Sequence, residues 1–253
     1  MNRITSPKNS RVKEWNKLKR KKGRDKAGAF IIEGPHLIEE ALKHKAEVTD
    51  LIIDKSFRIP SDWHTGNMTT WVATSSVIEE LADTETPQGV VAIVQAGSKE
   101  MELSSDGSYL LLDGIQDPGN LGAIIRTADS AGADGVILGN GTVDLYNSKV
   151  LRSTQGSLFH LPIVKGNLLE WIPRMKEKGI QVFGTSLKGG IPYTLSDRIS
   201  GYALILGNEA NGVHEDLLAS SDQNLFVPIY GQAESLNVAV AAGILLYGLK
   251  EGK

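Results

Sequence analysis

The chain has 253 residues, of which 41% are apolar and 23% are charged, so it is long enough to bury the core of one or two globular domains. It contains no cysteine, which excludes disulfides and thiolate metal sites, and its five scattered histidines lack metal-ligand spacing, so we expect no metal. No apolar run approaches the roughly 18 residues needed to span a bilayer, and the first residues lack the apolar stretch of a signal peptide. We expect a cytoplasmic protein with no membrane segment.

The net charge of −3 is unevenly distributed along the chain. Residues 1–26 hold eleven lysines and arginines against Glu14 and Asp25, a net +9, whereas the remaining residues carry −12. Such a dense basic segment is typical of a surface that binds a phosphate backbone, where released counterions drive binding. A solvated helix face is the alternative, and a membrane surface is disfavoured because the segment lacks a wide apolar face. The cations that we assign to phosphate contact are Lys17, Lys19, Arg20, Lys21, Lys22 and Arg24.

The elements after the basic segment alternate between strand and helix. AFIIEG, PHLIEEALKH and VTDLIID predict a strand, a helix opened by proline and a second strand, which is a βαβ pattern. TTWVAT, SSVIEELAD and GVVAIVQ continue it as strand, helix and strand. The polar stretch that follows has no periodicity. We therefore predict a smaller α/β domain over 1–97, a linker over 98–107 and a second domain over 108–253.

The second domain resumes the alternation with longer apolar strands. YLLLD, GVILG, IQVFGTS and YALILG predict strands, and helical segments separate them. Short apolar strands that alternate with helices indicate a mainly parallel sheet. The last helix, within SLNVAVAAGILLYGLK, is apolar on nearly all sides, so we expect it to be buried inside the protein or against a second copy of the chain.

Three glycine-containing turns follow strands of the second domain, at the edge where parallel sheets place ligands. They are DPGNLG after YLLLD, GNEANG after YALIL, and IYGQAESLN after NLFVP. Gly114 and Gly119 have the spacing of a triphosphate-binding loop, but Asn120 and Leu121 stand where that loop needs lysine and a hydroxyl residue. In GNEANG the lysine position is Val213, and no strand leads into G-x-G-x-x-G. The turns therefore disfavour a nucleoside triphosphate site and an ordinary dinucleotide site.

These turns closely resemble the motifs of the SpoU family of RNA ribose 2′-O-methyltransferases. DPGNLGAIIRTADSAG, LILGNEANGV and VPIYGQAESLNVAVA are similar to the three family motifs, in the same order, and NSKVLRSTQGSLFHLPIV resembles a further family segment. The resemblance covers 109–250 and extends more weakly to the N-terminal domain, which resembles a substrate-binding domain of ribosomal-protein-like fold. Ala210 stands where many relatives have glycine, which puts the local turn geometry in doubt. The resemblance implies that the C-terminal parallel-sheet domain contains a deep trefoil knot, a rare exception to unknotted topology.

The resemblance also implies a cofactor and site residues. S-adenosylmethionine would lie against backbone groups of Gly207, Val227 and Leu236, with Thr185 and Ile229 nearby. The arginine matching Arg126 would act on the ribose 2′-hydroxyl, either as general base or as electrostatic stabiliser of the developing alkoxide, since a guanidinium is reluctant to deprotonate. Family members pair through the knotted domain, which implies a homodimer whose sites draw Arg126 from the partner chain. The residues that would position the reacting groups are Asn120, Glu209, Ser235 and Asn237.

Each of these side chains has a purely structural alternative. Asn120 precedes the apolar helical positions Leu121, Ile124 and Ile125, so it could be a helix N-cap. Ser235 could likewise cap the final helix. Glu209 could be a surface carboxylate. Arg126 could pair with Asp129, three residues further along the same helix.

Three functions remain open from the sequence. The first is a 2′-O-methyltransferase acting on RNA, with large-subunit ribosomal RNA favoured over transfer RNA by analogy with relatives that carry the extra N-terminal domain. The second is a ribosome-assembly factor that binds RNA without turnover. The third is a nucleotide-binding enzyme, which the two missing lysines disfavour. The complete motifs favour the first.

Overall fold

The computed structural model of the protein describes residues 2–66, 68–97, 100–195 and 200–250. It forms two compact units, a first unit of Met1–Ser98 with Asp144–Phe159 and a second unit of Lys99–Val143 with His160–Lys253. Within the described ranges, none of the helices combines the length and apolar character needed to cross a membrane.

The first unit contains a mixed five-stranded sheet. The strands are β1 (Asn2–Ile4), β2 (Ala29–Glu33), β3 (Val48–Asp54), β4 (Thr69–Ala73) and β5 (Val90–Gln95). Their order across the sheet is β1-β4-β3-β5-β2. β5 pairs antiparallel with both β2 and β3, so it separates the two strands of the predicted βαβ pattern, while β1, β4 and β3 are parallel neighbours.

The basic segment is folded into the first unit. It forms two helices that periodicity did not predict, and Asn9 caps the first of them by accepting a hydrogen bond from the backbone of Arg11. Val12, Trp15 and Leu18 share one face and are buried in the core of the unit. Burying an apolar side chain of this size contributes about 1.5–3 kcal/mol, so the segment stabilises the unit. The helices of this region are α1 (Ser10–Lys17), α2 (Lys21–Ala27), α3 (Pro35–Lys43) and α4 (Ser75–Leu81).

The second unit contains a seven-stranded sheet in which every neighbouring pair is parallel, as predicted. Its central strands are buried on both faces, which explains their almost uninterrupted apolar sequences. The order is β10-β12-β9-β11-β6-β7-β8. The strands are β6 (Ser108–Leu112), β7 (Gly135–Leu138), β8 (Ile163–Lys165), β9 (Gln181–Thr185), β10 (Ile191–Pro192), β11 (Tyr202–Leu206) and β12 (Gln223–Phe226).

Two helices of the second unit pack side by side, the one that follows β6 and the last helix of the chain. The last helix buries Ala242, Leu245 and Leu246, but Val240 is 52% exposed and Tyr247 is 47% exposed. The expectation that the last helix is buried on all sides therefore holds for one face only within a single chain. The helices of this unit are α5 (Pro118–Ser130), α7 (Leu168–Glu177), α8 (Glu215–Ser220) and α9 (Val238–Lys250).

Residues 144–159 leave the second unit and belong to the first, a division that differs from the one predicted from sequence. This segment contains α6 (Ser148–Thr154). Tyr146 stacks on Phe30 with ring centroids 4.2 Å apart, and Asp144 forms an ion pair with Arg24 at 2.6 Å. Periodicity indicates which face of an element is buried but not the unit against which it packs. The sequence therefore did not predict that residues 144–159 belong to the first unit.

We predict that the buried Arg24–Asp144 pair stabilises the first unit. Both side chains are about nine-tenths buried, and Arg24 also donates to the carbonyls of Leu18 and Lys19. Removing one partner of a buried ion pair costs about 3–5 kcal/mol, because the other charge loses its counter-ion. Arg24→Met should lower the free energy of unfolding by about this amount in urea titrations followed by tryptophan fluorescence, whereas Lys21→Ala should change it little. A loss in Arg24→Met no larger than in Lys21→Ala would contradict the assignment.

Candidate active site

The three glycine-containing turns meet around one cleft of about 810 Å³ in the second unit. They follow β6, β11 and β12, and since all strands of this sheet are parallel, their carboxyl ends lie at the same edge. All five residues that the resemblance assigns to a cofactor line the cleft, namely Thr185, Gly207, Val227, Ile229 and Leu236. The cleft is also lined by four of the five residues predicted to act on the reacting groups, namely Asn120, Glu209, Ser235 and Asn237.

A hydrogen-bond network centred on Glu209 ties these turns together. The Glu209 carboxylate accepts hydrogen bonds from the backbone amides of Gln116 and Asp117, both at 3.2 Å, and from the side-chain amide of Asn120 at 3.0 Å. The Asn120 side-chain oxygen in turn accepts a hydrogen bond from Asn237 at 2.9 Å. We call these five residues the Glu209 network. It joins the turn after β11 to the start of α5 and to the start of α9.

The Glu209 network also sets the charge of its central carboxyl group. Burial of the Glu209 carboxyl raises its pKa, but the hydrogen bonds from Asn120 and from backbone amides outweigh this effect and bring the pKa below its ordinary value. Because the folded pKa is lower than the unfolded one, the carboxylate stabilises the fold above the unfolded pKa. This stabilisation is lost as the pH falls through the folded pKa. Glu209 is thus a fixed negative charge at neutral pH.

The GNEANG turn keeps its shape through Asn208 and two glycines. The Asn208 side chain donates to the carbonyl of Gly114 at 2.8 Å and accepts from the backbone amides of Ala210 and Asn211. A Cβ atom on Gly207 would lie 2.2 Å from the backbone of Gly212, so Gly207 is required by chain packing. Ala210 does not have a positive φ, so the departure from the family pattern at this position does not disturb the turn.

The helix-capping alternatives for Asn120 and Ser235 are wrong. Asp117 is the N-cap of α5, since its side chain accepts a hydrogen bond from the backbone amide of Asn120 at 2.8 Å. The backbone amide of Ala239 donates to the side chain of Asn237 at 2.9 Å, so Asn237, and not Ser235, caps α9. Aspartate before a proline at the first helical position is a sequence signal for this cap, but the apolar periodicity begins only at Leu121 and pointed to Asn120.

Of the five residues predicted to act on the reacting groups, Arg126 is the one that does not line the cleft. It lies six residues after Asn120 on α5, about 9 Å further along the axis and rotated by about 240°. Its side chain is exposed and has no hydrogen bond or ion pair to any residue that the structure describes. The predicted alternative, a pair with Asp129, is not formed in the structure; instead, Oδ2 of Asp129 lies 2.7 Å from Nδ1 of His160.

The walls of the cleft combine apolar side chains with free backbone groups. Leu206, Leu225 and Leu245 contribute apolar surface. Among the described residues, the lining residues Val227, Ile229 and 234–236 make no backbone-to-backbone hydrogen bond, so their amide and carbonyl groups are available along the wall. Such a wall suits a ligand with a flat apolar part and several polar groups.

The six cations assigned to phosphate contact have different environments in the first unit. Lys17, Arg20, Lys21 and Lys22 are exposed on α1, α2 and the turn between them. Lys19 donates to the carbonyl of Ala82 at 2.8 Å and is half-buried. Arg24 is buried in its ion pair with Asp144, so it does not belong to the exposed basic surface. We call the four exposed cations the basic surface.

Comparison with known proteins matches the chain in two separate segments, one N-terminal and one C-terminal. Residues 107–247 match the model of the SpoU rRNA Methylase family, and residues 9–92 match the MRM3-like substrate binding domain. The first match includes all three turns of the cleft. The second includes most of the basic segment and the strands β2, β3 and β4 of the first unit.

Relatives and solved structures match over nearly the full length. A 23S rRNA (guanosine(2553)-2′-O)-methyltransferase of Bacillus subtilis is 48% identical, covering 99% of this chain and 100% of that protein. A 23S rRNA (uridine(2479)-2′-O)-methyltransferase of Streptomyces viridochromogenes is 32% identical, covering 97% and 90%. The crystal structure of an AdoMet-bound rRNA methyltransferase from Sinorhizobium meliloti has a TM-score of 0.90 at 32% identity, covering 99% and 97%. By both sequence and structure, the chain belongs to the SpoU rRNA methylase family.

Proposed function

We propose that the protein is an S-adenosylmethionine-dependent methyltransferase that modifies a ribose 2′-hydroxyl in RNA, most specifically in 23S ribosomal RNA. The observation that carries the proposal is the single cleft at which the three family motifs meet, held together by the Glu209 network. Two relatives that match nearly the whole chain are named as 23S rRNA 2′-O-methyltransferases, which supports the choice of RNA. The rRNA enzyme from Sinorhizobium meliloti that was crystallised with AdoMet supports the choice of cofactor.

The residues of the cleft fit S-adenosylmethionine. Its adenine ring needs apolar contact, which Leu206, Leu225 and Leu245 offer. Its polar groups need donors and acceptors, which the backbone groups of Val227, Ile229 and 234–236 offer, since these make no backbone-to-backbone hydrogen bond to a described residue. The residues that would hold it are Thr185, Gly207, Val227, Ile229 and Leu236. When bound, the cofactor supplies an electrophilic methyl group.

The side chains of the Glu209 network position the reacting groups. Glu209 accepts three hydrogen bonds and so fixes the Asn120 amide, and Asn120 in turn holds the amide of Asn237. Preorganised polar groups of this kind lower a barrier because they need no reorganisation during the reaction. The Ser235 hydroxyl lines the same cleft and is exposed, so it is available to contact RNA or cofactor.

Arg126 acts on the ribose through its charge. A guanidinium is a poor base because it stays protonated in proteins. It can stabilise the negative charge that develops on the 2′-oxygen as its proton leaves, and it can hold the adjacent phosphate in a bidentate contact. We therefore favour the electrostatic role over the role of general base. The Arg126 side chain is exposed and pairs with none of the described residues, so it is available for these contacts, which supports this choice.

Arg126→Ala should lower kcat/KM for methyl transfer to RNA by about 10²–10³, the usual cost of one donor that stabilises developing charge. Transfer of labelled methyl groups to ribosomal RNA measures the rate, and calorimetry on cofactor-free protein measures the affinity for S-adenosylmethionine. The affinity should stay within a few fold of wild type, as it should in the control Arg174→Ala. A large loss of cofactor affinity in Arg126→Ala would place the arginine in the cofactor site. Absence of binding by the wild type at millimolar cofactor would contradict the whole proposal.

The active form is a homodimer in which each site receives Arg126 from the partner chain. Two observations support this part of the proposal. Arg126 does not line the cleft of its own chain, and α9 exposes the apolar residues Val240 and Tyr247 on the outside of the unit. A twofold pairing across this face would bury both residues and supply the missing cation. The family's trefoil knot, formed around the turns of the cleft, belongs to the same proposal, as does a cytoplasmic location.

A mixture of two inactive proteins should recover activity if the site is shared. Arg126→Ala lacks the cation and Asn237→Ala lacks part of the Glu209 network, but a mixed dimer contains one complete site. Random reassortment makes half of the dimers mixed, so we expect about a quarter of wild-type activity after co-refolding. Sedimentation should show a dimer at micromolar concentration. A monomer in sedimentation, or a mixture no more active than its components, would contradict the shared site.

The basic surface holds RNA while the second unit performs the chemistry. The basic surface consists of the exposed side chains of Lys17, Arg20, Lys21 and Lys22. Residues 27–253 carry a net negative charge. The electrostatic potential therefore favours RNA at the basic surface and disfavours it elsewhere on the protein. Phosphate contacts of this kind add affinity but little sequence information.

Replacing these four cations with glutamine should weaken RNA binding and flatten its salt dependence. Each lost phosphate contact reduces the slope of log K against log salt by about 0.7 for single strands and 0.9 for duplex, or roughly 2.8–3.6 for all four. Binding titrations from low to physiological salt measure the slope. Lys178→Gln, which changes an exposed lysine of the second unit, should reduce it much less. An unchanged slope in the fourfold variant would show that the basic surface is only solvated.

A further inference from the structure

The Arg126 guanidinium does not bind a carboxylate that lies one helical turn away. Asp129 is at position i+3 of the same helix, where arginine and aspartate side chains are neighbours and normally attract each other. Instead, Oδ2 of Asp129 lies 2.7 Å from Nδ1 of His160, and both side chains of this pair are about three-quarters buried. Arg126 has no partner among the described residues.

An ion pair with Asp129 would oppose the proposed role of Arg126. It would hold the guanidinium against its own helix and neutralise part of the charge that the ribose oxygen and phosphate require. The geometry of α5 does nothing to prevent such a pair, since the two side chains lie on adjacent turns of one helix face. What occupies the carboxylate in this structure is the imidazole of His160.

We propose that His160 is a positioning residue for methyl transfer: it engages the Asp129 carboxylate and so leaves Arg126 free to reach RNA. The inference rests on the proposed function, because it assigns a consequence to the freedom of Arg126. His160 itself does not touch the cleft. It acts through Asp129 and needs no contact with substrate or cofactor.

The helix around this pair has other supports that do not depend on His160. The Ser130 hydroxyl donates to the carbonyl of Arg126 at 2.8 Å, and the Tyr247 hydroxyl donates to the carbonyl of Ser130 at 3.2 Å. The backbone of α5 is therefore held at this turn when His160 is changed. The expected consequence of losing His160 is a change of side-chain partners, in which Asp129 turns to Arg126.

The test compares variants of His160 and Asp129 in the full-length protein, with labelled methyl transfer to ribosomal RNA as the readout. His160→Ala should lower kcat/KM by about two- to fivefold, the range that follows from an exposed ion pair competing for Arg126. His160→Asn keeps a donor at the position of Nδ1 and should remain near wild type. His160→Ala combined with Asp129→Asn should return to near wild type, because an amide cannot form the competing ion pair. Affinity for S-adenosylmethionine should be unchanged in all of them.

The outcomes separate this inference from the function on which it rests. Activity of His160→Ala equal to wild type would overturn the inference alone. A double variant as slow as His160→Ala would also overturn it, because His160 would then act only by stabilising the fold. Absence of RNA methylation by the wild type would overturn the proposed function and the role of His160 with it. Loss in His160→Ala with recovery in the double variant supports the positioning role.

Discussion

The acceptor capacity of one carboxylate holds the cleft together. Glu209 receives two backbone amides at the start of α5 and the amide of Asn120, through which it also reaches Asn237 at the start of α9. The parallel sheet brings the three turns to one edge, but it does not fix them relative to one another. The Glu209 network does so, and its hydrogen bonds bring the pKa of the Glu209 carboxyl below its ordinary value, so the group is a charged acceptor at neutral pH.

In the proposed dimer, the groups that act on the ribose come from two chains. A single chain provides the cleft wall and the Glu209 network, yet its only predicted cation for the ribose, Arg126, lies on another face of α5. That face continues into the exposed residues of α9, and Asp129 is kept occupied by His160 beside it. The positive charge of Arg126 is therefore exposed on the outside of the unit. In the first unit, four of the six cations assigned to phosphate contact are likewise exposed, while Arg24 is buried in its ion pair with Asp144.

The sequence predicted the second unit better than the first. Strands such as Tyr202–Leu206 are buried on both faces and have apolar sequences that only a parallel sheet explains. The motifs brought Asn120, Glu209 and Asn237 into one cleft as expected, but the capping roles of Asp117 and Asn237 depend on where the helices begin, which periodicity does not locate. The burial of Arg24 was missed because its partner, Asp144, is 120 residues away in sequence. A local charge pattern records how many cations are present but not which of them find a distant counter-ion.

The central claim is that this protein methylates a ribose 2′-oxygen in large-subunit ribosomal RNA. Its most direct test is to map ribose methylation across the ribosomal and transfer RNAs of cells that contain the protein, cells that lack it, and cells that carry only Arg126→Ala. The account predicts one 2′-O-methylated nucleotide in 23S rRNA that is present in the first cells and absent from the other two. Identical methylation maps in all three would contradict it, and a missing methyl group found only in transfer RNA would refute the assignment of the substrate.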